Sequence, residues 1–277
     1  GLAIARKLPD SPEIRYALLH TSLTFLSRLK RAEDYCRVYE EIQEVHVLVG
    51  TPQAAAQAKV AEIDYWTCCV YIENYMPRKV QALIESLEMM EVEDETLFRG
   101  YFVSSINFTF CGQYELSRSY SQKALDVAKR MRILEYEIRS YWIQVKADLL
   151  SGNWKLALPK IDLSLSKARR IDVGRPLLYA YITKGMVYAW MGKYADAQLC
   201  LDEMIRHVPS YPTKDGHITD MVAPIEMMIA LSTEKAADYY ASMNRTRPYY
   251  VCFPWFSMSL WGEIQLSAGD RHGAMET

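Results

Sequence analysis

A helical hairpin recurs along this chain at an interval of forty residues. From Tyr181 to Pro209, two stretches with apolar residues at helical spacing meet at Gly192, and Pro209 ends the second stretch. A turn glycine also stands forty residues earlier, at Gly152, and eighty residues earlier, at Gly112. Self-similarity of this length is typical of a solenoid, in which each unit buries its apolar face against its neighbours. The sequence therefore predicts an all-α fold.

Small and aromatic residues occupy matching positions in successive units. In the clearest unit, Gly185 and Ala197 are small residues at the point where two antiparallel helices would approach most closely. The two earlier units carry the corresponding sets Tyr141, Gly152, Trp154, Ala157 and Tyr101, Gly112, Tyr114, Ser117. Forty residues further on, the pattern weakens to Met221, Ser232 and Ala237. The repeat is thus sharpest in the middle of the chain.

This pattern resembles that of the tetratricopeptide repeat (TPR) family, whose motif combines two aromatics, a small residue in each helix and a glycine at the turn. The matching residues are Tyr181, Gly185, Tyr188, Gly192, Tyr194, Ala197 and Pro209. The earlier units depart from it, because Val145 and Ser105 replace the first-helix glycine and Asp148 replaces an aromatic. The resemblance implies a right-handed superhelix (α-solenoid) of about seven TPR-like helical hairpins. We expect one repeat domain over residues 1–277, with hairpins turning near Lys30, Pro77, Gly112, Gly152, Gly192, Ser232 and Gly269.

The period of forty residues is longer than the commonest TPR length. In this it resembles the superhelical sensor region of the MalT-like signal-transduction ATPase regulators, and the resemblance is best over residues 95–245. In that family such a region senses an inducer or partner and controls attached nucleotide-binding and output domains. The chain begins at Gly1 without an initiating Met, and it ends soon after Gly269, where a second helix should start. We therefore expect a fragment of a longer protein.

Composition excludes several functions. The formal net charge of the 277 residues is only −2, whereas nucleic-acid surfaces need clustered positive charge, so we expect no direct nucleic acid binding by this segment. No stretch approaches the roughly 18 apolar residues of a membrane span, and no signal peptide is visible, so no membrane association is expected. The six cysteines lack paired spacing, which favours a reducing, cytoplasmic compartment.

No arrangement of residues in the sequence points to catalysis. The five histidines are scattered, no Cys-x-x-Cys pair occurs, and neither a glycine-rich phosphate loop nor a Gly-x-Ser-x-Gly turn is present. An acid, a base and a nucleophile cannot be assembled by spacing. The sequence therefore predicts a protein that is not an enzyme, with no metal site and no cofactor.

The remaining candidate surface is the concave groove, which the first helix of each hairpin would line. The predicted ligand-binding residues are Tyr71, Asn74, Tyr75, Phe102, Ile106, Phe110, Arg139, Trp142, Lys146 and Trp190. Thr67, Thr109, Leu149, Ile182 and Met186 are predicted to face the same way, and Arg99 is a further hydrogen-bond donor. Aromatic faces beside polar donors suit a sugar, a peptide or a partner helix. The alternative is that tight curvature buries these aromatics as ordinary core.

Two functions from different classes follow from this groove. As a sensor domain of a signalling or transcriptional regulator, it would bind a small-molecule inducer or a protein or peptide partner and alter a neighbouring domain. As a constitutive scaffold, it would hold a peptide or another subunit permanently. The sequence alone favours neither, and it predicts no oligomeric state.

Overall fold

The computed structural model describes residues 4, 11–28, 32–68, 76–171, 174–207, 216–243 and 254–276. Over these residues the only regular secondary structure is α-helical, with fourteen helices and no strand. The helices are α1 (Pro12–Arg28), α2 (Ala32–Val49), α3 (Pro52–Cys68), α4 (Pro77–Glu88), α5 (Asp94–Phe110), α6 (Tyr114–Met131), α7 (Leu134–Leu150), α8 (Trp154–Ala168), α9 (Gly174–Trp190), α10 (Tyr194–His207), α11 (Gly216–Ser232), α12 (Ala236–Ser242), α13 (Pro254–Ser267) and α14 (Arg271–Glu276). The turn expected near Lys30 lies outside the described residues.

The helices form two compact units, Gly1–Ala147 and Asp148–Thr277, called here the first and second units. In the first unit α1 packs on α2, α2 on α3, α3 on α4 and α5, and α5 on α6. In the second unit α8 packs on α9, α9 on α10 and α11, and α11 on α12 and α13. Helices that are neighbours along the chain are thus neighbours in space, as in stacked hairpins. The predicted all-α fold of TPR-like hairpins is confirmed.

The first helix ends in the same backbone conformation in three successive hairpins. Gly112, Gly152 and Gly192 have φ angles of 72°, 78° and 72°. The residue after each glycine donates its N–H to a carbonyl five residues earlier, for example from Gln113 to Phe108 at 2.8 Å. This is the Schellman end of a helix, and it needs a left-handed residue. A Cβ at Gly112 would meet no atom within 4 Å, so conformation and not space requires glycine there.

The hairpin turn after Ser232 uses the same geometry with another residue. Glu234 has a φ of 59°, and Lys235 donates its N–H to the carbonyl of Ala230 at 2.9 Å. A side chain in this conformation carries a strain that glycine avoids. The hairpin therefore keeps the turn geometry although its sequence lacks the turn glycine.

Helices α5 and α6 run antiparallel. The Thr109 and Ser117 hydroxyl oxygens are 2.6 Å apart near the turn, while the rings of Tyr101 and Tyr120 are 6.0 Å apart further from it. Ser117 stands where the repeat motif has alanine, and its hydroxyl donates to the Ser105 carbonyl at 2.9 Å. The hydroxyl is buried but hydrogen-bonded, so serine replaces alanine there without an unpaired polar group.

Asp148, which replaces the motif's aromatic, is fully buried at 0% exposure. Its carboxylate lies 2.5 Å from the Lys160 ammonium on α8. A buried carboxylate needs such a partner to offset its loss of hydration. The departure from the motif is therefore a hydrogen-bonded ion pair between consecutive helices and not a defect in packing.

Candidate functional site

Helices α5 and α7 carry equivalent stripes of residues on one face. On α5 the stripe is Glu95, Arg99, Phe102, Ile106 and Phe110, and on α7 it is Glu135, Arg139, Trp142, Lys146 and Leu150. The members of each stripe are three or four residues apart, which places them on one side of a helix. Each residue of the second stripe stands forty residues after its counterpart in the first. The repeat therefore presents a carboxylate, a guanidinium and an aromatic ring twice.

Four aromatic rings connect α5 to α7. The Phe98 ring stacks on the Tyr136 ring with centroids 4.1 Å apart and planes 4° apart. Phe98 also stacks on Phe102 at 5.8 Å, and Phe102 lies 6.4 Å from Trp142. Pairs at these separations stabilise by roughly 0.5–1.5 kcal/mol each beyond the area they bury. The four rings form a continuous row across the two helices.

Two cations accompany these rings. The Lys146 ammonium lies 4.3 Å from the Trp142 ring centroid and 5.4 Å from that of Phe110, although Lys146 is only 3% exposed. Arg139 lies 5.8 Å from the Tyr136 ring and donates to the Glu135 carboxylate at 2.5 Å. Cations over aromatic faces are attracted by the ring quadrupole, more strongly where water is excluded. We call Phe98, Phe102, Phe110, Tyr136, Arg139, Trp142 and Lys146 the aromatic–cation cluster.

The structure brings five of the predicted ligand-binding residues into this cluster: Phe102, Phe110, Arg139, Trp142 and Lys146. Ile106 is half-buried on α5, between Phe102 and Phe110 in the stripe. Trp190 is half-buried at the end of α9 in the second unit. Tyr71, Asn74 and Tyr75 lie outside the described residues.

Five further residues expected to face the groove belong to the core. Thr67, Thr109, Leu149, Ile182 and Met186 are each at most 5% exposed. The Thr67 and Thr109 hydroxyls donate to carbonyls one turn earlier, at 2.8 Å in both cases. The structure thus buries all five side chains, as it does Lys146. The Phe102, Phe110 and Trp142 rings are instead half-buried and keep part of their surface accessible.

Sequence reasoning missed Phe98 and Tyr136. Phe98 is 1% exposed, so its ring forms the buried part of the row. Tyr136 is half-buried. The only available signal was the four-residue spacing from Phe98 to Phe102, which places both on one helix face.

A polar cavity of about 150 Å³ lies in the first unit. Its lining comes from α1, α3, α5 and the segment just before α5: His20, Gln57, Val60, Glu93, Glu95, Thr96 and Arg99. Tyr136 joins the cavity wall to the aromatic–cation cluster, because its hydroxyl donates to Glu95 at 3.1 Å while its ring stacks on Phe98. The cavity and the cluster are therefore adjacent.

Hydrogen bonds hold one wall of the cavity in place. The Gln53 side-chain amide donates to the Glu93 carboxylate and to the Thr96 hydroxyl oxygen, at 2.9 Å in both cases. Glu93 precedes α5, and its carbonyl accepts the Leu97 N–H at 3.1 Å. These contacts fix the Glu93 carboxylate relative to the first turn of α5.

The charge of Arg99 acts on several titratable groups of this region. Burial and the Arg99 charge lower the pKa of His20 to about 4, so this ring is neutral at physiological pH. Burial raises the pKa of Asp64, an effect opposed by the Tyr35 hydroxyl, which donates to it at 3.0 Å, and by Arg99. From its position on α5 the guanidinium thus acts on groups of α1 and α3.

The described residues offer neither a metal site nor a membrane span. No group of three or more His, Cys, Asp and Glu side chains there is arranged to hold a metal ion. Across the same part of the chain, no helix combines the length and apolar character needed to cross a membrane.

Comparison with known proteins finds similarity of fold. The crystal structure of NprR in complex with its cognate peptide NprX is 13% identical, with a TM-score of 0.57, and the match covers 93% of this chain and 75% of that one. The structure of a Rap protein complexed with Competence and Sporulation Factor is 14% identical, with a TM-score of 0.56, and covers 94% of this chain and 84% of that one. No protein-family model matches the sequence, and no curated protein matches it significantly.

Proposed function

We propose that this chain is a non-catalytic recognition domain of a signalling or transcriptional regulator, and that it binds a peptide on the aromatic–cation cluster. The observation that carries the proposal is the row of rings from Phe98 to Trp142, flanked by Arg139 and Lys146. A ligand that covers the accessible part of these rings removes apolar surface from water, which favours binding, and the cations beside the rings orient polar groups.

The neighbours in fold support a peptide as the ligand. NprR was solved with its cognate peptide, on a fold that matches nearly the whole of this chain. A helical-hairpin fold serves many functions, so this similarity adds to the argument from the cluster and does not replace it.

A small-molecule inducer is a poorer fit to the cluster. Small ligands prefer enclosed pockets that bury most of their surface. The rings of the cluster instead form a row over two helices, and the cavity beside it is lined by charged and polar groups. An extended ligand contacts such a row more completely than a compact one does.

A constitutive scaffold is the second candidate, and the surface of α8 favours it. Leu156 and Leu163 are 58% and 44% exposed and lie seven residues apart, on one face of the helix. Exposed apolar side chains on one helix face are typical of protein–protein contacts. In that case Leu156→Ser would abolish capture of a partner protein that Trp142→Ala leaves unchanged.

The wider context stays a prediction. Resemblance to the sensor region of MalT-like ATPase regulators implies a nucleotide-binding domain elsewhere in the parent protein, and the single repeat domain over residues 1–277 is likewise a hypothesis. Sequencing the complete parent gene would test for the nucleotide-binding domain. Unfolding of residues 1–277 in one transition or in several would test whether they form a single domain.

Peptide selection tests the proposal. The chain is immobilised, a pool of random hexapeptides is passed over it, and retained peptides are identified by mass spectrometry and measured by calorimetry. Trp142→Ala should weaken their binding about tenfold or more, because losing an aromatic anchor at an interface costs roughly 2 kcal/mol.

The matched control is Trp154→Ala. Trp154 begins α8 outside the cluster, so its removal should leave peptide affinity within about twofold of the unchanged chain. Recovery of no peptide, or equal weakening by both substitutions, would refute binding on the cluster.

A further inference from the structure

The size of the polar cavity restricts what it can hold. A cavity of about 150 Å³ accommodates a ligand as large as benzene. A peptide therefore cannot enter as a whole, but one small amino-acid residue can. Val60 gives the lining one apolar side chain, and the other lining residues are polar or charged.

The charges of the cavity favour a cationic ligand with an adjacent acceptor. Of the charged lining residues, Glu93 and Glu95 are exposed and Arg99 is half-buried. With His20 neutral, the lining carries two carboxylates and one guanidinium, a formal charge of −1. An ammonium group donates three hydrogen bonds and suits carboxylates, whereas a guanidinium donates to a carbonyl or carboxylate oxygen.

The cavity adjoins one end of the aromatic–cation cluster. Arg99 in its wall lies between Phe98 and Phe102 in the α5 sequence order, one turn or less from each. Glu95 accepts the hydroxyl hydrogen of Tyr136, whose ring belongs to the cluster. A chain lying along the row of rings would reach the cavity with its terminal residue.

We propose that the polar cavity binds an α-amino group together with the oxygen of the neighbouring carbonyl or carboxylate. The ammonium pairs with Glu93 and Glu95, and Arg99 donates to the oxygen. Two sources carry this chemistry: the first residue of a peptide bound on the cluster, which rests on the function proposed above, and a free small amino acid.

Titration with small probes tests this directly. L-Alaninamide represents a peptide amino terminus, L-alanine a free amino acid, and N-acetyl-L-alaninamide lacks the ammonium. The ring signals of His20 are followed by NMR, with the His46 ring on α2 as an internal reference, since His46 does not line the cavity. So small a ligand should bind with a dissociation constant of order millimolar.

We expect a saturable shift of the His20 signals with alaninamide and none with the acetylated probe. A shift with alanine alone would identify a free amino acid as the source, and a shift with alaninamide alone would identify a peptide amino terminus. Shifts with both probes would show that the cavity accepts either oxygen. If no probe shifts His20, or if the acetylated probe acts equally, the proposal is wrong.

Substitution gives the second measurement. The double variant Glu93→Gln, Glu95→Gln should bind the effective probe at least tenfold more weakly, whereas Glu91→Gln should bind it as the unchanged chain does. Glu91 is an exposed carboxylate in the same segment but not in the cavity lining. Far-UV circular dichroism checks that the double variant is folded, and the acetylated probe tests the same ammonium without any substitution.

Binding of an amino group in the cavity and binding of a peptide on the aromatic–cation cluster can be tested independently. If selected hexapeptides bind equally well with free and acetylated amino termini, and the probes leave His20 unchanged, the cavity proposal fails while peptide binding stands. If no hexapeptide is retained but alanine shifts His20, peptide binding fails and the cavity binds a free amino acid.

Discussion

At the scale of single residues, Arg99 connects groups from several helices. Its charge opposes the burial that raises the pKa of Tyr16, and adds to the burial that lowers the pKa of His20 on the same helix. Burial and Glu95 raise the pKa of Tyr136, and the Arg99 charge opposes this rise. One guanidinium thus influences both the polar cavity and the edge of the aromatic–cation cluster.

His20 should make stability depend on pH. Its pKa is about 4 in the folded chain against 6.5 for an unperturbed histidine, so the unfolded chain binds more protons between these values. Stability is therefore complete above about pH 6.5 and falls as the pH falls towards 4, by at most about 3 kcal/mol. We expect His20→Gln to lose less stability than the unchanged chain between these two pH values, measured by urea unfolding.

His272→Gln is the control for this measurement. His272 lies on α14 in the second unit and does not line the cavity, so this variant should keep the loss of stability that His20 causes. Parallel stability curves for His20→Gln and the unchanged chain would contradict the role assigned to His20.

At the scale of helices, Gly100 sets how closely α5 approaches its neighbours. A Cβ there would lie 2.6 Å from Leu87 Cδ2 and 3.0 Å from Ile84 Cδ1, both on α4. Leu87 and Ile84 are fully buried, and side chains in a close-packed interior make room only at a cost in packing. This contact fixes the position of α5, and with it Arg99 and the row of rings.

Alanine should therefore be costly at Gly100 and harmless at Gly185. At Gly185 a Cβ would lie 3.4 Å from Cys200 Cβ, an ordinary contact distance. Gly100→Ala overpacks the core and should destabilise by about 1–3 kcal/mol, whereas Gly185→Ala gains helix propensity worth up to about 1 kcal/mol. Thermal unfolding of the two variants measures the difference, and an unchanged or raised Tm for Gly100→Ala would refute the close approach.

At the scale of the whole molecule, the chain consists of two compact units of stacked hairpins. In such a fold each helix contacts mainly its neighbours along the chain, and stability is close to a sum of local terms. The aromatic–cation cluster and the polar cavity both belong to the first unit. The Asp148–Lys160 ion pair belongs to the second.

Hydrogen exchange should show this locality. In Gly100→Ala we expect faster amide exchange in α3, α4 and α5, because local opening costs less where packing is disturbed. Amides of α9 and α10 should exchange at the rate of the unchanged chain. Uniform acceleration over all helices would indicate instead that the two units unfold as one.

Much of the fold was predictable because its signals are local in sequence. The turns at Gly112, Gly152 and Gly192 need a left-handed residue, and glycine at a constant spacing marks them. The forty-residue offset also placed Phe102 beside Trp142, since equivalent positions of stacked hairpins lie near each other. Glu234 was harder to predict, because its turn conformation is forced on a residue that seldom adopts it.

The sequence by itself determined the helices, their turns and the face of α5 and α7 on which the candidate residues stand, since helix periodicity and turn chemistry act over a few residues. Only the tertiary structure decided that Phe98 stacks on Tyr136, that Thr109 and Leu149 face the core, and that His20 meets Arg99 at a cavity. These contacts depend on the distance and offset between packed helices. Many side chains together set that distance and offset, and the absence of a side chain at Gly100 is one example.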